Sequence, residues 1–207
     1  MTTVPAMGSP PVVVHATAAD LETLSGALAD AFADDPVQRW LFAGAADHRA
    51  SLGRFFRFFV DEYFRLGHVY VPRAAPASGG ALWAPPDRDA LHDEARIAEL
   101  IELVRTEIGE DPTLRLMELA RAAEYRPSTP HFYLGILGIA PSGQGGGLGG
   151  VLVEHVLSYC DDAGIPAHLE SSNPRNLGFY ERLGFEVVDE YRCGGDPLMT
   201  IMTRAPR

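Results

Sequence analysis

Cysteines and metal-binding patterns are scarce in this sequence. Only Cys160 and Cys193 are present, so no disulfide framework is expected. Cys160 falls on the apolar stripe of a predicted helix, which favours a small buried hydrophobic side chain over a redox role. The seven histidines are scattered, without the HxH, HxxxH or HExxH spacing that is typical of zinc sites. We therefore expect no bound metal.

Basic residues are also few. The chain has 17 lysines and arginines against 28 acidic residues, a net charge of −11. This excess of negative charge repels a phosphate backbone, so nucleic acid is not an expected partner. An anionic ligand would have to rely on local backbone donors and a few basic side chains, whereas a cationic amine would be attracted.

Long apolar runs are missing. No run approaches the roughly 20 residues of a membrane span, and the start, MTTVPAMGSPP, lacks the basic and apolar regions of a secretory signal. At 207 residues and 46% hydrophobic content, the chain can bury one substantial core. We expect a cytoplasmic protein without membrane contact, a monomer or homodimer. One domain is expected over 12–205, after a flexible segment 1–11.

Helical and strand-like periodicities alternate along the chain, which favours an α/β sheet covered on both sides. A helix beginning near Leu21 is expected to end at Pro36, and a second should run from about Asp47 to Gly67. HVYVP and GALWAP predict a hairpin. Residues 87–125 are charged and helical, which predicts a two-helix insertion that either walls an acceptor pocket or is purely structural.

The most informative stretch lies between 131 and 185. Residues 131–139 are apolar and uncharged, PSGQGGG interrupts them, and helical spacing begins at Leu148. Glycines between a strand and a helix N-terminus allow close backbone approach to an anion, and the helix dipole favours phosphate there. The loop also satisfies GxGxxG, with Glu170 near the position of a ribose-binding acid, so a dinucleotide is an alternative at this point.

Two motifs together resemble a known family. QGGGLG fits the pattern [QR]xxGx[GA], and PAHLESSNPRNLGFYERLGFEVV follows it at a suitable distance. Both are similar to signatures of the GNAT superfamily of N-acetyltransferases, and their sequences look most like the branch that contains puromycin N-acetyltransferase. The resemblance implies an α/β fold with a mixed, mostly antiparallel central sheet flanked by helices, the helical insertion preceding the central strand. It also implies that the strands at 131–139 and 167–171 splay apart.

The resemblance implies acetyl transfer from acetyl-CoA to a primary amine of a small molecule, by direct attack in a ternary complex. The residues that it implies for holding acetyl-CoA are Leu137, Gly138, Ile139, Gln144, Gly145, Gly146, Gly147, Leu148, Gly149, Gly150, Asn173, Asn176 and Tyr180. Tyr180 matches the family tyrosine that faces the coenzyme sulfur and acts as general acid, although it could be a packed aromatic instead. Asn176 could equally be a helix N-cap.

The remaining site residues follow from position and chemistry. Glu170 ends a strand beside the expected splay and is the candidate general base, or else a structural carboxylate. An acceptor amine could be steered by Asp34 and Asp35 and walled by Phe32, Trp40 or Trp83; the alternative is an acidic helix end with core aromatics.

Other functions remain open at this stage. They are a non-catalytic acyl-CoA sensor of the same fold, a protein lysine or N-terminal acetyltransferase and, less favoured, a dinucleotide-dependent oxidoreductase.

Overall fold

A computed structural model describes residues 11–207, so the segment predicted to be flexible lies outside the described residues except for Pro11. The helices are α1 Leu21–Ala31, α2 Pro36–Leu41, α3 His48–Leu66, α4 Glu94–Ile108, α5 Thr113–Ala120, α6 Leu148–Ala163 and α7 Leu177–Arg182. The strands are β1 Val13–His15, β2 Val69–Pro72, β3 Gly79–Ala84, β4 Phe132–Ile139, β5 Ala167–Ser171, β6 Glu186–Arg192 and β7 Leu198–Arg204.

The strands form one seven-stranded sheet in the order β1-β2-β3-β4-β5-β7-β6. Every neighbouring pair is antiparallel except β4 and β5, which run parallel with α6 as their connection. A parallel pair needs such a crossover, whereas the antiparallel pairs can be joined by short turns. The predicted α/β fold with a mixed, mostly antiparallel sheet flanked by helices is confirmed.

Each face of the sheet carries its own apolar core. Leu82 and Ala84 of β3 face the core built by α1 and α3, whereas Ala81 and Trp83 face α6. This division follows from the alternation of side chains along a strand. The apolar stripe of α6, including Cys160, is buried as its spacing predicts. The two helices of the interval 87–125 pack on the α3 side, and Leu100 and Val104 of α4 join that core.

One predicted boundary was wrong. The first helix ends at Ala31, and Pro36 begins α2 instead of ending α1. The Asp35 carboxylate accepts hydrogen bonds from the backbone N–H groups of Val37 and Gln38, at 3.0 and 3.1 Å. Proline suits the first position of a helix because its missing N–H would have no intrahelical partner there. The sequence DDPVQ is therefore a helix start.

Among residues 11–207, no helix is both long and apolar enough to cross a bilayer.

Candidate active site

The strands β4 and β5 separate part of the way along the sheet. Their pairing covers only Phe132–Leu134 of β4 and Ala167–Leu169 of β5. Beyond it, β4 stays paired with β3 as far as Ile139, while its other backbone edge opens into a cleft. This edge carries N–H and C=O groups that a ligand can use as a neighbouring strand would. The splay implied by the family resemblance is present.

A β-bulge lies where the two strands part. Trp83 pairs with Leu134 and Leu82 pairs with Ile136, so Gly135 is the extra residue in β4. A Cβ at Gly135 would lie 1.8 Å from the Tyr63 hydroxyl oxygen, so only glycine fits between β4 and α3. Bulges bend a strand and occur beside functional sites. This one accompanies the opening of the cleft.

A groove of about 680 Å³ occupies the open side of the cleft. The residues that line it and that the sequence predicts for the donor are Leu137, Gly138, Ile139, Gln144, Gly145, Gly147, Leu148, Gly149, Gly150, Asn173, Asn176 and Tyr180. Gly146 belongs to the same loop without lining the groove. The Gln144 amide donates a 2.8 Å hydrogen bond to the Ile139 carbonyl and so joins the loop to the end of β4.

The N-terminus of α6 opens into this groove. Gly147 is its N-cap, with φ 77°, and no side chain within residues 11–207 caps the helix. The first-turn N–H groups are therefore left for a ligand, and they carry the positive end of the helix dipole. A Cβ at Gly145, Gly147 or Gly150 would meet no atom within 4 Å. The loop thus leaves open space over unpaired backbone donors, which suits a pyrophosphate.

A second cavity, of about 210 Å³, lies on the α3 side of the cleft. Its lining is dominated by aromatic and aliphatic residues from α3, the insertion, β4 and β7, namely Phe55, Phe56, Phe59, Tyr63, Leu119, Ala122, Tyr133, Leu134, Ile136 and Met199. The insertion therefore contributes to the wall through Leu119 and Ala122.

The groove and the cavity meet at four residues. Phe32, Leu137, Asn176 and Tyr180 line both of them. Tyr180 lies on α7 and is 8% exposed. Burial, with the Asp35 carboxylate as a further cause, raises the pKa of its phenol well above the ordinary value. The hydroxyl therefore stays protonated at neutral pH, as a proton donor must.

Glu170 lines the smaller cavity, just beyond the last residue of β5 that pairs with β4. Its side chain is 4% exposed. One carboxylate oxygen accepts a 2.5 Å hydrogen bond from the Tyr133 hydroxyl, and the other lies 3.2 Å from His168 Nε2. Burial and the neighbouring Glu170 raise the pKa of Tyr133. The carboxylate is thus held in a fixed orientation at the cavity wall.

Of the residues predicted to contact the acceptor, some line the groove or the cavity and others do not. Phe32 lines both spaces, and Asp34 and Asp35 line the larger groove. Trp83 does not reach either space: it is fully buried on the α6 face, because strand alternation turns it away from α3. Trp40 also lines neither of the two; it packs in the cores and against Gly194.

The two aspartates differ in environment. Asp34 is exposed and forms an ion pair with Arg39. Asp35 is 6% exposed and accepts a 2.5 Å hydrogen bond from Ser172, which ties α2 to the loop after β5. Burial raises the pKa of Asp35, against the lowering effect of its hydrogen bonds. Asp35 is therefore built into the wall of the site as a helix cap.

Several lining residues had not been singled out from the sequence. Arg175 and Arg182 add positive charge to the groove; Arg175 lies within the asparagine loop that the motif identified, and Arg182 ends α7. Gln38 lines the smaller cavity, and its Oε1 is buried without a hydrogen-bond partner among the described residues. No group of three potential metal ligands occurs in residues 11–207.

The sequence matches the family model described as "Acetyltransferase (GNAT) family" over residues 77–185. It is 28% identical to an uncharacterized N-acetyltransferase from Schizosaccharomyces pombe, over 81% of this chain and 71% of that protein. It is 32% identical to a peptidyl-lysine N-acetyltransferase from Salmonella typhimurium, over 48% of this chain and 70% of that protein.

A solved structure extends the likeness to almost the whole fold. This structure, from Corynebacterium glutamicum, is described as "histone acetyltransferase HPA2 and related acetyltransferase". It superposes with a TM-score of 0.70 at 24% identity, covering 95% of this chain and 97% of that one.

Proposed function

The chain belongs to the GNAT family of acetyl-CoA-dependent N-acetyltransferases, and from this premise we propose that its acceptor is the primary amine of a small molecule, attacked directly in a ternary complex. The single observation that carries the proposal is the meeting of the two spaces at Tyr180. The larger space suits an extended donor, and the smaller one suits a small acceptor. Reactants held side by side gain the advantage of proximity without an acyl-enzyme.

Each end of the donor has suitable partners in the groove. The N-terminus of α6, together with Arg175 and Arg182, supplies donors and positive charge for the pyrophosphate. The open backbone edge of β4 at Leu137 and Ile139 suits the amide-containing arm and the thioester carbonyl. Because Asp30, Asp34 and Asp35 also line the groove, the backbone donors at the start of α6 have to supply much of the attraction for the pyrophosphate.

The reaction then needs three proton transfers. The ammonium group of the acceptor loses one proton to Glu170, directly or through water, and the neutral nitrogen attacks the thioester carbon. The carbon–sulfur bond breaks as the tetrahedral intermediate collapses, and the departing thiolate takes a proton from the Tyr180 hydroxyl. The second proton of the nitrogen then returns to the Tyr180 oxygen, directly or through water, which leaves a neutral amide, free coenzyme A and a protonated Tyr180. Glu170 lies on the acceptor side, and Tyr180 lies where the two spaces meet, so each group has a distinct role.

A Glu170→Gln variant tests the base. The amide keeps the shape but cannot take a proton, so we expect kcat/KM for the acceptor to fall by about 10² or more, while the Kd for acetyl-CoA stays unchanged. Glu154→Gln, on the surface of α6, is the matched control. A loss below about threefold would remove Glu170 from the mechanism.

Two specific observations favour other acceptors. The relative from Salmonella typhimurium is a peptidyl-lysine N-acetyltransferase, which favours a protein lysine. The sequences of the two motifs resemble those of the branch that contains puromycin N-acetyltransferase, which favours an amino-nucleoside as the acceptor.

Thiol release from acetyl-CoA, with mass-spectrometric identification of the product, separates these acceptors. We expect turnover with small amines and little with lysine peptides or puromycin. Faster turnover with lysine peptides or puromycin than with small amines would contradict the proposed acceptor. Tight acetyl-CoA binding without any product would indicate a sensor.

A further inference from the structure

Aromatic rings form one side of the acceptor cavity. Phe55, Phe56 and Phe59 come from two successive turns of α3. They pack edge to face on one another, with ring planes at 80° for Phe55 and Phe56 and at 60° for Phe55 and Phe59. Leu119 and Ala122 of the insertion add aliphatic surface. Most of the surface that a bound acceptor would touch is therefore apolar.

The charge in this cavity is limited to one group. Among the described residues that line it, Glu170 is the only one with a carboxylate, and none is basic. The polar side chains of Gln38, Ser171, Ser172 and Asn176 also line it, and all of them are neutral. Neutral groups can form hydrogen bonds, but they cannot neutralise a second ammonium ion. We therefore expect a strong preference for acceptors with one ammonium group over acceptors with two.

The balance of magnitudes supports this discrimination. Removing an ammonium ion from water costs several kcal/mol even after the surroundings relax. Attraction to a ring face returns only about 0.5–2 kcal/mol, and the rings of α3 are already engaged with one another. The volume of the cavity also disfavours large acceptors such as aminoglycosides. It is about 210 Å³, below the roughly 300–1,000 Å³ of pockets for drug-sized ligands.

We infer that the acceptor is a small primary monoamine with an apolar body. Its ammonium group meets Glu170, and its body lies against Phe55, Phe56 and Phe59. Polyamines and aminoglycosides are disfavoured because the wall has no second carboxylate. This inference rests on the proposed acetyl transfer and specifies its acceptor.

Hexylamine and 1,5-diaminopentane make a matched pair for the test. They have the same number of heavy atoms and similar nucleophilic nitrogens, and they differ in one terminal methyl or ammonium group. We expect kcat/KM to favour hexylamine by about 10² or more. Phenethylamine should also be a substrate, because its ring can pack on the α3 aromatics.

A matched pair of variants tests whether the wall itself sets the preference. Leu119 is half-buried on α5, a helix with no fully buried residue, so it should tolerate substitution. Leu119→Asp adds a carboxylate to the wall, and Leu119→Asn is its neutral isostere. The quantity compared is the ratio of kcat/KM for hexylamine to kcat/KM for 1,5-diaminopentane. We expect Leu119→Asp to lower this ratio at least tenfold and Leu119→Asn to leave it close to the wild-type value. A general loss of activity in one variant changes both values alike and leaves their ratio unaffected.

The outcomes distinguish the two claims. If the wild-type protein acetylates 1,5-diaminopentane as well as hexylamine, the inference is overturned while acetyl transfer to small amines stands. If no amine is acetylated although acetyl-CoA binds, the proposed function fails and the inference fails with it. A strong preference for hexylamine that Leu119→Asp narrows supports both.

Discussion

Acetyl-CoA is expected to bind at least about 10²-fold more weakly to a Gly150→Glu variant than to the wild-type protein, because like charges brought together cost several kcal/mol. Gly150 lies in the first turn of α6 and lines the larger groove. A side chain there meets open space, so the new carboxylate would lie where phosphate oxygens are expected. Isothermal titration calorimetry measures the effect directly.

The fold should survive this substitution. Gly150 has a helical backbone, unlike Gly147 with its φ of 77°, where any side chain would add strain. Replacing a helical glycine should stabilise the helix by up to about 1 kcal/mol, and an acidic residue suits the first turn. Gly150→Gln, of nearly the same size but neutral, is the control and should retain most of the affinity. Unchanged affinity in Gly150→Glu would overturn the phosphate site.

A Tyr180→Phe variant should bind acetyl-CoA almost normally and lose about 10- to 10³-fold in its single-turnover rate. The substitution removes only the hydroxyl. The ring keeps its contacts with Phe179 and Phe185, at centroid distances of 5.0 and 6.0 Å, so packing changes little. The thiolate then has to leave without a proton from the enzyme.

Tyr159→Phe is the matched control, because Tyr159 is 54% exposed on α6 and lines neither space. It should react at the wild-type rate. If Tyr180→Phe also keeps that rate, Tyr180 is a packing residue only. If it loses acetyl-CoA affinity as well as rate, its role is in holding the donor.

The sequence was sufficient for features encoded by local chemistry. The glycines before α6 and the apolar periodicity of that helix lie within one short stretch, so the proposed phosphate loop could be placed between a strand and a helix without any knowledge of long-range packing. The α/β class followed from alternating periodicities. The splay of β4 and β5 came only from the family resemblance, because strand separation leaves no periodic signal.

Features that depend on packing could not be predicted. Trp83 was expected in the acceptor site, but the face on which a strand residue lies depends on which helix covers that face, and α6 covers it here. Phe55, Phe56 and Phe59 recur at helical spacing and pack in the core, yet helical periodicity does not reveal that part of this core is a cavity. The hydrogen bond between Tyr133 and Glu170 joins residues 37 positions apart.

The central claim is direct acetyl transfer where the two spaces meet. Rapid-quench mass spectrometry tests it, with the protein in excess over acetyl-CoA and with saturating hexylamine. If transfer is direct, N-acetylhexylamine and free coenzyme A appear at the same rate and in equal amounts, with no acetylated protein at any time. Acetyl-protein that forms and then decays into product, or coenzyme A released without the amide, would contradict it.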